Sequence, residues 1–184
     1  MNDSALERAK AALLADPSVG CVACRVRAGG DMTSAADRDD LNGFGRRRVD
    51  DDNGYRRNRS AGVRAESDEI LTGFGHGVRP LLQWLAAGQS LIGYCAADRV
   101  VGKGAALLYA RLGVRAVYAE TMSEAGLAAL RANGIEASYG TLVPVILNRS
   151  HTGVCPIEQS VAAIGDPAAA EPAIRAAVAR LMRR

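Results

Sequence analysis

Alternation between two kinds of apolar pattern is the feature that most limits how this chain can fold. Short continuous apolar runs, typical of buried strands, are separated by segments in which apolar residues return at a helical spacing. In one such segment Val101, Ala105, Leu108 and Leu112 predict a helix with one apolar face. The runs that predict the three central strands are Leu91–Ala96, Val114–Ala119 and Ile135–Tyr139. Because crossover helices connect parallel strands, the pattern predicts an α/β fold with mainly parallel central strands.

The beginning of the chain predicts a hairpin that a long insertion interrupts. Ser4–Leu14 has the spacing of a short helix and Cys21–Val26 that of a strand. Residues 29–68 contain hardly any apolar side chains, and their acidic and basic charges nearly cancel. Such a stretch cannot bury enough surface to offset its ordering entropy. We therefore predict a disordered insertion at 29–68, with the second strand of the hairpin beginning at Glu69.

Proline and capping residues mark the other helices. Pro80 stands in the first turn of the predicted helix Val78–Ala87, where its missing N–H costs nothing. Thr121–Glu124 is a capping signature for the helix that follows, and Asn133-Gly134 ends that helix.

The C-terminal segment has a different composition from the rest. Asp166-Pro167 begins an alanine-rich helix with an apolar stripe, which we predict to pack on the sheet or, in a homodimer, on a partner chain. The predicted organisation is thus a single domain over residues 1–165 and a C-terminal helix over 166–184.

Composition excludes several classes of function. A net charge of +3 with dispersed arginines, and only 4% aromatic residues, argue against nucleic-acid binding. No run approaches the ~20 apolar residues of a membrane span. The N-terminus has no secretory pattern, so we expect a cytoplasmic protein whose four cysteines are free thiols.

Three glycine- or proline-marked segments lead into predicted helices and are the candidate sites. They are Gly73–Gly77, Asp98–Gly104 and Asn148–Glu158. In open α/β sheets, ligands bind beyond the carboxyl ends of the strands, where helix N-termini favour anions. The predicted ligand-binding residues are Gly75, His76, Gly77, Asp98, Lys103, Asn148 and Arg149, and the candidate catalytic residues are Asp98, Lys103, Cys155 and Glu158.

Each candidate also has a purely structural interpretation. The glycines at 73, 75 and 77 are compatible with a simple turn. Asp98 is suited to cap the helix after it, and Lys103 to lie in solvent while Gly102 and Gly104 let another helix approach closely. Lys103 is not a Walker lysine, because the GxxxxGK[ST] pattern is absent.

Cysteine and histidine give little support for a metal site. Cys21 and Cys24 have CxxC spacing, but they lie in a predicted strand without a second pair nearby. Cys155 with His151 has the chemistry of a thiolate pair at a helix N-terminus. No third, orienting group can be identified from the sequence.

Several segments resemble a family of uncharacterised prokaryotic proteins, domain-of-unknown-function family 1893. The matching segments are "GVRPLL" (77–82), "ADRVVGKGAALL" (97–108), "VYAETMSEAGLAAL" (117–130), "NGIEASYGTLVPVILNRSHTGVCPIE" (133–158) and, more weakly, "CVACR" (21–25). The insertion at 29–68 and the helix after Asp166 lie outside the resemblance. It implies a cytidine-deaminase-like fold, a three-layer α/β/α sandwich whose mixed sheet begins with a hairpin.

The resemblance implies the scaffold without the deaminase machinery. Deaminases of that superfamily carry H-x-E on one helix and P-C-x-x-C at the start of the next, and both motifs serve zinc chemistry. Here His76-Gly77-Val78 lacks the glutamate and 97–100 lacks the cysteines. In Cys155–Glu158 the order of proline and cysteine is inverted, and the motif comes too late in the chain. No zinc or other cofactor is therefore expected.

The leading hypothesis is a protein that binds a small anionic molecule, such as a nucleotide or phosphorylated metabolite, or an enzyme of unidentified reaction. The first alternative is an interaction or regulatory module without catalysis. The second is a rearranged zinc-dependent deaminase or hydrolase that uses His76, Cys95 and Cys155.

Overall fold

The computed structural model describes residues 4–27 and 69–183. A five-stranded mixed sheet forms its centre, with the strand order β2-β1-β3-β4-β5. The strands are β1 (Val19–Arg25), β2 (Ile70–Phe74), β3 (Tyr94–Val101), β4 (Ala116–Ser123) and β5 (Glu136–Val143). The predicted insertion at 29–68 lies outside the described residues.

Pairing in the sheet changes direction at β3. β1 runs antiparallel to both β2 and β3, with Cys24 opposite Ile70 on one side and Cys95 on the other. β3, β4 and β5 are parallel to one another. The predicted hairpin and the predicted parallel central strands are both confirmed.

Six helices accompany the sheet in the described part of the chain. They are α1 (Ala5–Ala15), α2 (Arg79–Ala86), α3 (Lys103–Leu112), α4 (Glu124–Ala132), α5 (Pro156–Ser160) and α6 (Pro167–Met182). Buried side chains of α1 pack with Val22, Cys24, Cys95 and Ala97 on one face of the sheet. The opposite face packs with α2, α3 and α4 in a larger core. This distribution leaves the carboxyl ends of β3 and β4 pointing toward the N-termini of α3 and α4.

Strands β3, β4 and β5 each extend four or five residues beyond their predicted ends. The predicted strand ending at Ala96 continues to Val101, and those ending at Ala119 and Tyr139 continue to Ser123 and Val143. The predicted end of this strand before Asp98-Arg99 is therefore wrong. The polar residues stay within β3 because partners satisfy them: the Arg99 guanidinium donates to the carbonyls of Leu13 and Asp16 and pairs with Glu120.

Helix α6 packs mainly on other helices, whereas the sequence predicted packing on the sheet or on a partner chain. It packs on α3, α5 and α2, its residues Ala170, Ile174 and Ala177 are buried, and Arg175 donates to the Leu82 carbonyl. Ile174 belongs to the same core as α3. No helix within residues 4–27 and 69–183 has the length and apolar character needed to cross a membrane.

Candidate functional site

A tight turn after β5 places several predicted residues beside α2 and α6. Leu147 and Val154 form an isolated antiparallel bridge, and the backbone N–H of Asn148 donates to the Gly153 carbonyl at 2.8 Å. The Asn148 carboxamide closes the turn, because its oxygen accepts from the Thr152 N–H at 2.9 Å and its nitrogen donates to the Thr152 hydroxyl. The Asn148 side chain thus organises the turn that presents Arg149.

The turn forms one wall of a cavity of about 490 Å³, called here the basic cavity. It is lined by His76, Gly77, Val78, Arg79, Leu147, Asn148, Arg149, Ser150, Cys155, Pro156, Ile157, Val178 and Leu181. The lining includes two arginines and one histidine but no carboxylate. Neither Arg79 nor Arg149 forms an ion pair with any described residue. The chemistry of this lining favours an anion with an apolar part.

Two further hollows adjoin the basic cavity. One, also of about 490 Å³, shares Asn148, Pro156 and Leu181 with it and is bordered by Gln159 and Arg180. The other is a recess of about 80 Å³ between Val100, Gly102 and Glu158. Cys155 borders both this recess and the basic cavity.

Glu158 lies between the cavity wall and the start of α3. Its side chain is buried, and its Oε2 accepts from the backbone N–H of Lys103 at 2.9 Å while its Oε1 accepts from the Ser123 hydroxyl at 2.8 Å. Both carboxylate oxygens are therefore used by the protein itself. This arrangement gives Glu158 a structural role that the sequence did not indicate.

Asp98 is buried at a different place, under α3. Its Oδ2 accepts from the Tyr109 hydroxyl at 2.8 Å, and its Oδ1 accepts from the Val100 N–H. Cys21 lies opposite it on β1. Burial raises the pKa of Asp98 to about 7 and also raises the pKa values of Cys21 and Tyr109, with the Asp98 charge adding to both. Asp98 does not cap α3, because the N-cap is Gly102.

Lys103 projects away from the basic cavity and is not among its lining residues. Its ammonium group donates to the Ala162 carbonyl at 2.7 Å, at the far end of α5. Gly75 is also outside the lining, and its φ of +106° shows the left-handed backbone of a turn. His151 lies in the Asn148–Gly153 turn with φ of 55° and likewise does not line the cavity.

The structure thus separates the predicted site residues into groups. His76, Gly77, Asn148, Arg149 and Cys155 lie around the basic cavity, whereas Asp98, Lys103 and Gly75 do not. Sequence reasoning missed Arg79, Val178 and Leu181. Arg79 directly precedes Pro80, so the sequence already indicated a cation at the start of α2. No sequence pattern indicates that α6 packs beside it.

The cysteines are distributed over both faces of the sheet. Cys21 packs in the core under α2 and α3, whereas Cys24 and Cys95 pack under α1. Residues i and i+3 of a strand point to opposite faces, so the CxxC pair cannot chelate one metal. Cys95 is likewise separated by the sheet from the side that carries α2 and α3. Among residues 4–27 and 69–183, no three His, Cys, Asp or Glu side chains are grouped as metal ligands.

Comparison with known proteins identifies the family. Residues 52–177 match the sequence profile of TM1506, a domain of unknown function (DUF1893). This match extends into α6 and into residues 52–68, beyond the segments on which the sequence resemblance was based. A search among curated proteins finds no match.

A solved structure shows the same fold. The crystal structure of a DUF1893 family protein (TM1506) from Thermotoga maritima superposes with a TM-score of 0.62 at 18% identity, over 95% of this chain and 89% of that one. At this identity the likeness establishes the fold alone. Since the family profile matches well over half of the sequence, the chain belongs to the TM1506 family, DUF1893.

Proposed function

We propose that this protein binds a small organic anion with an apolar part, and that the basic cavity is the binding site. The observation that carries the proposal is the lining: two arginines and one histidine, no carboxylate, and apolar side chains from α2, α5 and α6. Arg79 and Arg149 would pair with the anionic group, since a guanidinium matches phosphate and carboxylate geometry with parallel hydrogen bonds. Nucleotides and other phosphorylated metabolites fit this description.

The size of the cavity supports a small-molecule ligand. Its volume of about 490 Å³ falls within the roughly 300–1,000 Å³ of ligand pockets in proteins. Val78, Ile157 and Val178 offer an apolar surface for the remainder of the ligand. The half-buried Cys155 thiol borders the same space and is the candidate reactive group.

We further propose that the scaffold is a zinc-free member of the cytidine-deaminase-like folds, a three-layer α/β/α sandwich. Support comes from the initial hairpin β1–β2 and from helices on both faces of a mixed sheet. A zinc hydrolase built on His76, Cys95 and Cys155 is disfavoured, because Cys95 packs under α1 on the opposite face. An interaction module is less favoured, because Ala170, Ile174 and Ala177 of α6 are buried within the domain and only the end of the helix, at Leu181 and Met182, is exposed.

Native mass spectrometry of freshly purified protein, searching for a retained anionic metabolite, is the first test. The second measures thermal stabilisation by adenosine monophosphate, ribose 5-phosphate and inorganic phosphate. A ligand at about 100 times its Kd stabilises the folded state by about 2.7 kcal/mol. Arg149→Met should reduce affinity for any stabilising anion about tenfold or more, since a charge-assisted hydrogen bond contributes roughly 1.5–3 kcal/mol.

Arg131→Met is the matched control, because it removes the same charge from the exposed end of α4, away from the cavity. It should leave anion binding unchanged. An equal loss of affinity in Arg149→Met and Arg131→Met would mean that anion binding depends only on the net charge of the protein. If an anion binds and neither Arg79→Met nor Arg149→Met changes its affinity, the binding site lies outside the basic cavity.

A further inference from the structure

We propose that Glu158 is a positioning residue that holds the α5 wall of the basic cavity against the N-termini of α3 and α4. The significance of that wall for ligand binding rests on the proposed function, whereas the anchoring itself can be tested without a ligand. Cys155, Pro156 and Ile157 line the cavity and directly precede Glu158. Whatever fixes Glu158 therefore also fixes these three residues.

The carboxylate joins three elements by hydrogen bonds. Oε2 accepts from the Lys103 N–H, the first helical residue of α3, at 2.9 Å. Oε1 accepts from the Ser123 hydroxyl at 2.8 Å, and the same Ser123 oxygen caps α4 by accepting from the Gly126 N–H at 3.0 Å. The two helices are thereby linked to α5 through a single side chain, which is only 8% exposed.

The charge of Glu158 suits this position. Helix N-termini carry partial positive charge and unpaired N–H groups, which an anion stabilises. The N-cap of α3 is Gly102, which has no side chain to fill this role. Glu158 supplies the missing acceptor from a segment 55 residues further along the chain.

The Gly102-Lys103-Gly104 sequence is shaped to receive α5. A Cβ atom at residue 102 would lie within 2.8 Å of the Glu158 Cδ atom, and one at residue 104 would lie 2.6 Å from Ile157 Cγ2. Lys103 completes the contact from the other end, because its ammonium donates to the Ala162 carbonyl at 2.7 Å. The glycines thus make room for the chain's own helix.

Loss of the anchor should loosen this wall while the rest of the core stays folded. α5 is only five residues long, and so short a helix is not stable by itself. It depends on packing against α3 and α6 and on the hydrogen bond from Ser123, the N-cap of α4. Local opening of such a segment requires less free energy than global unfolding.

Thiol labelling tests the inference on the full chain. Cys155 is half-buried, whereas Cys24 and Cys95 are buried under α1 and report opening of the other core. Labelling with iodoacetamide under native conditions, read by peptide mass spectrometry, should be about tenfold faster or more at Cys155 in Glu158→Gln and Glu158→Ala. The rates at Cys24 and Cys95 should stay within about twofold of wild type. Glu124→Gln, an exposed carboxylate in the first turn of α4, is the control and should change neither.

Gly102→Ala gives an independent route to the same opening. The added methyl group should displace the Glu158 carboxylate and accelerate Cys155 labelling in the wild-type background, but add little in the Glu158→Ala background. Unchanged Cys155 labelling in Glu158→Gln and Glu158→Ala would overturn the proposal. Parallel acceleration at all three cysteines would also overturn it, because Glu158 would then stabilise the whole domain. If Cys155 alone responds but no anion binds, the anchor stands and the proposed function fails.

Discussion

The carboxyl group of Asp98 lies in the core beneath α3, where water cannot solvate its charge. Hydrogen bonds from the Val100 N–H and the Tyr109 hydroxyl, with smaller effects of the Arg99 backbone and charge, offset only part of the lost hydration. Desolvation therefore dominates and raises the pKa of Asp98 from 3.8 to about 7. The Cys21 and Tyr109 side chains that surround it also have raised pKa values and stay neutral through this range.

Replacing Asp98 should change how stability depends on pH. Because the folded-state pKa is above the ordinary value, the folded protein binds the proton more tightly than the unfolded chain does. The stabilisation that protonated Asp98 contributes to the folded state is fully present below about pH 4. It is lost as the pH rises through about 7. The free energy of unfolding of wild type relative to Asp98→Asn should thus fall by up to about 1.4 kcal/mol per pH unit between these limits.

Urea denaturation of both proteins at several pH values within and above this window measures the difference. The comparison cancels the titration of groups that the two proteins share. A difference that does not vary with pH would mean that Asp98 is better solvated than its burial indicates.

The Gly102-Lys103-Gly104 segment shows what could not be predicted from the sequence for single residues. Two poor helix formers at a helix start indicated a close approach, either by a ligand or by another helix. The close approach is real, and the approaching atoms belong to Ile157 and Glu158. Since those residues are more than fifty positions away and lie in a five-residue helix, local pattern could not decide between the two interpretations.

At the scale of elements, the sequence predicted nearly every helix and strand but ended the strands too early. Periodicity identified β3, β4 and β5 by their apolar first halves. Their second halves contain Asp98-Arg99, Glu120-Thr121 and Gly140-Thr141, which are typical of loops. They remain in the sheet because parallel pairing continues through them, with Val100 opposite Thr121 and Thr121 opposite Thr141. Backbone pairing of this kind overrides a local preference.

Helix α6 should contribute strongly to stability through its buried stripe. Ile174 is fully buried and packs in the core with α3, so Ile174→Ala should lower the free energy of unfolding by about 2–5 kcal/mol. Leu181 on the same helix is 41% exposed, and Leu181→Ala should cost less than about 1 kcal/mol. Chemical denaturation gives both values. Similar small losses in the two variants would show that α6 is not part of the cooperative unit.

The whole molecule assembles its candidate site from segments that are far apart in sequence. His76 and Arg79 come from the start of α2, Arg149 and Cys155 from the region after β5, and Val178 from α6. Ligands of open α/β sheets bind beyond the carboxyl ends of the strands, and this rule predicted the segment before α2 and the segment after β5 from the sequence. It could not include α6, because the placement of α6 depends on helix packing against α3. It also grouped Asp98 and Lys103 with these residues, but neither lines the cavity, because Asp98 bonds Tyr109 under α3 and the Lys103 ammonium bonds the Ala162 carbonyl.

The same long-range geometry allows a test of the segment between β1 and β2. The two strands are adjacent, and the Arg25 N–H donates to the Glu69 carbonyl at 3.1 Å. A short linker can therefore connect them without moving either strand. Replacing residues 30–66 with a glycine-serine linker of about six residues should leave a cooperatively folding protein, stabilised by about 1–2 kcal/mol because the closed loop is shorter.

Thermal and urea unfolding of the shortened chain measure this effect, and native labelling of Cys24 and Cys95 checks that the α1 core is intact. Two observations give opposite expectations for residues 52–66. They belong to the family match, but their polar, charge-balanced composition predicts that they are not needed for folding. To locate any contribution, a second variant replaces only residues 30–51, which lie outside the match. Loss of several kcal/mol in the longer replacement alone would show that residues 52–66 pack on the domain. If the longer replacement is at least as stable as the shorter one, residues 52–66 are not needed for folding.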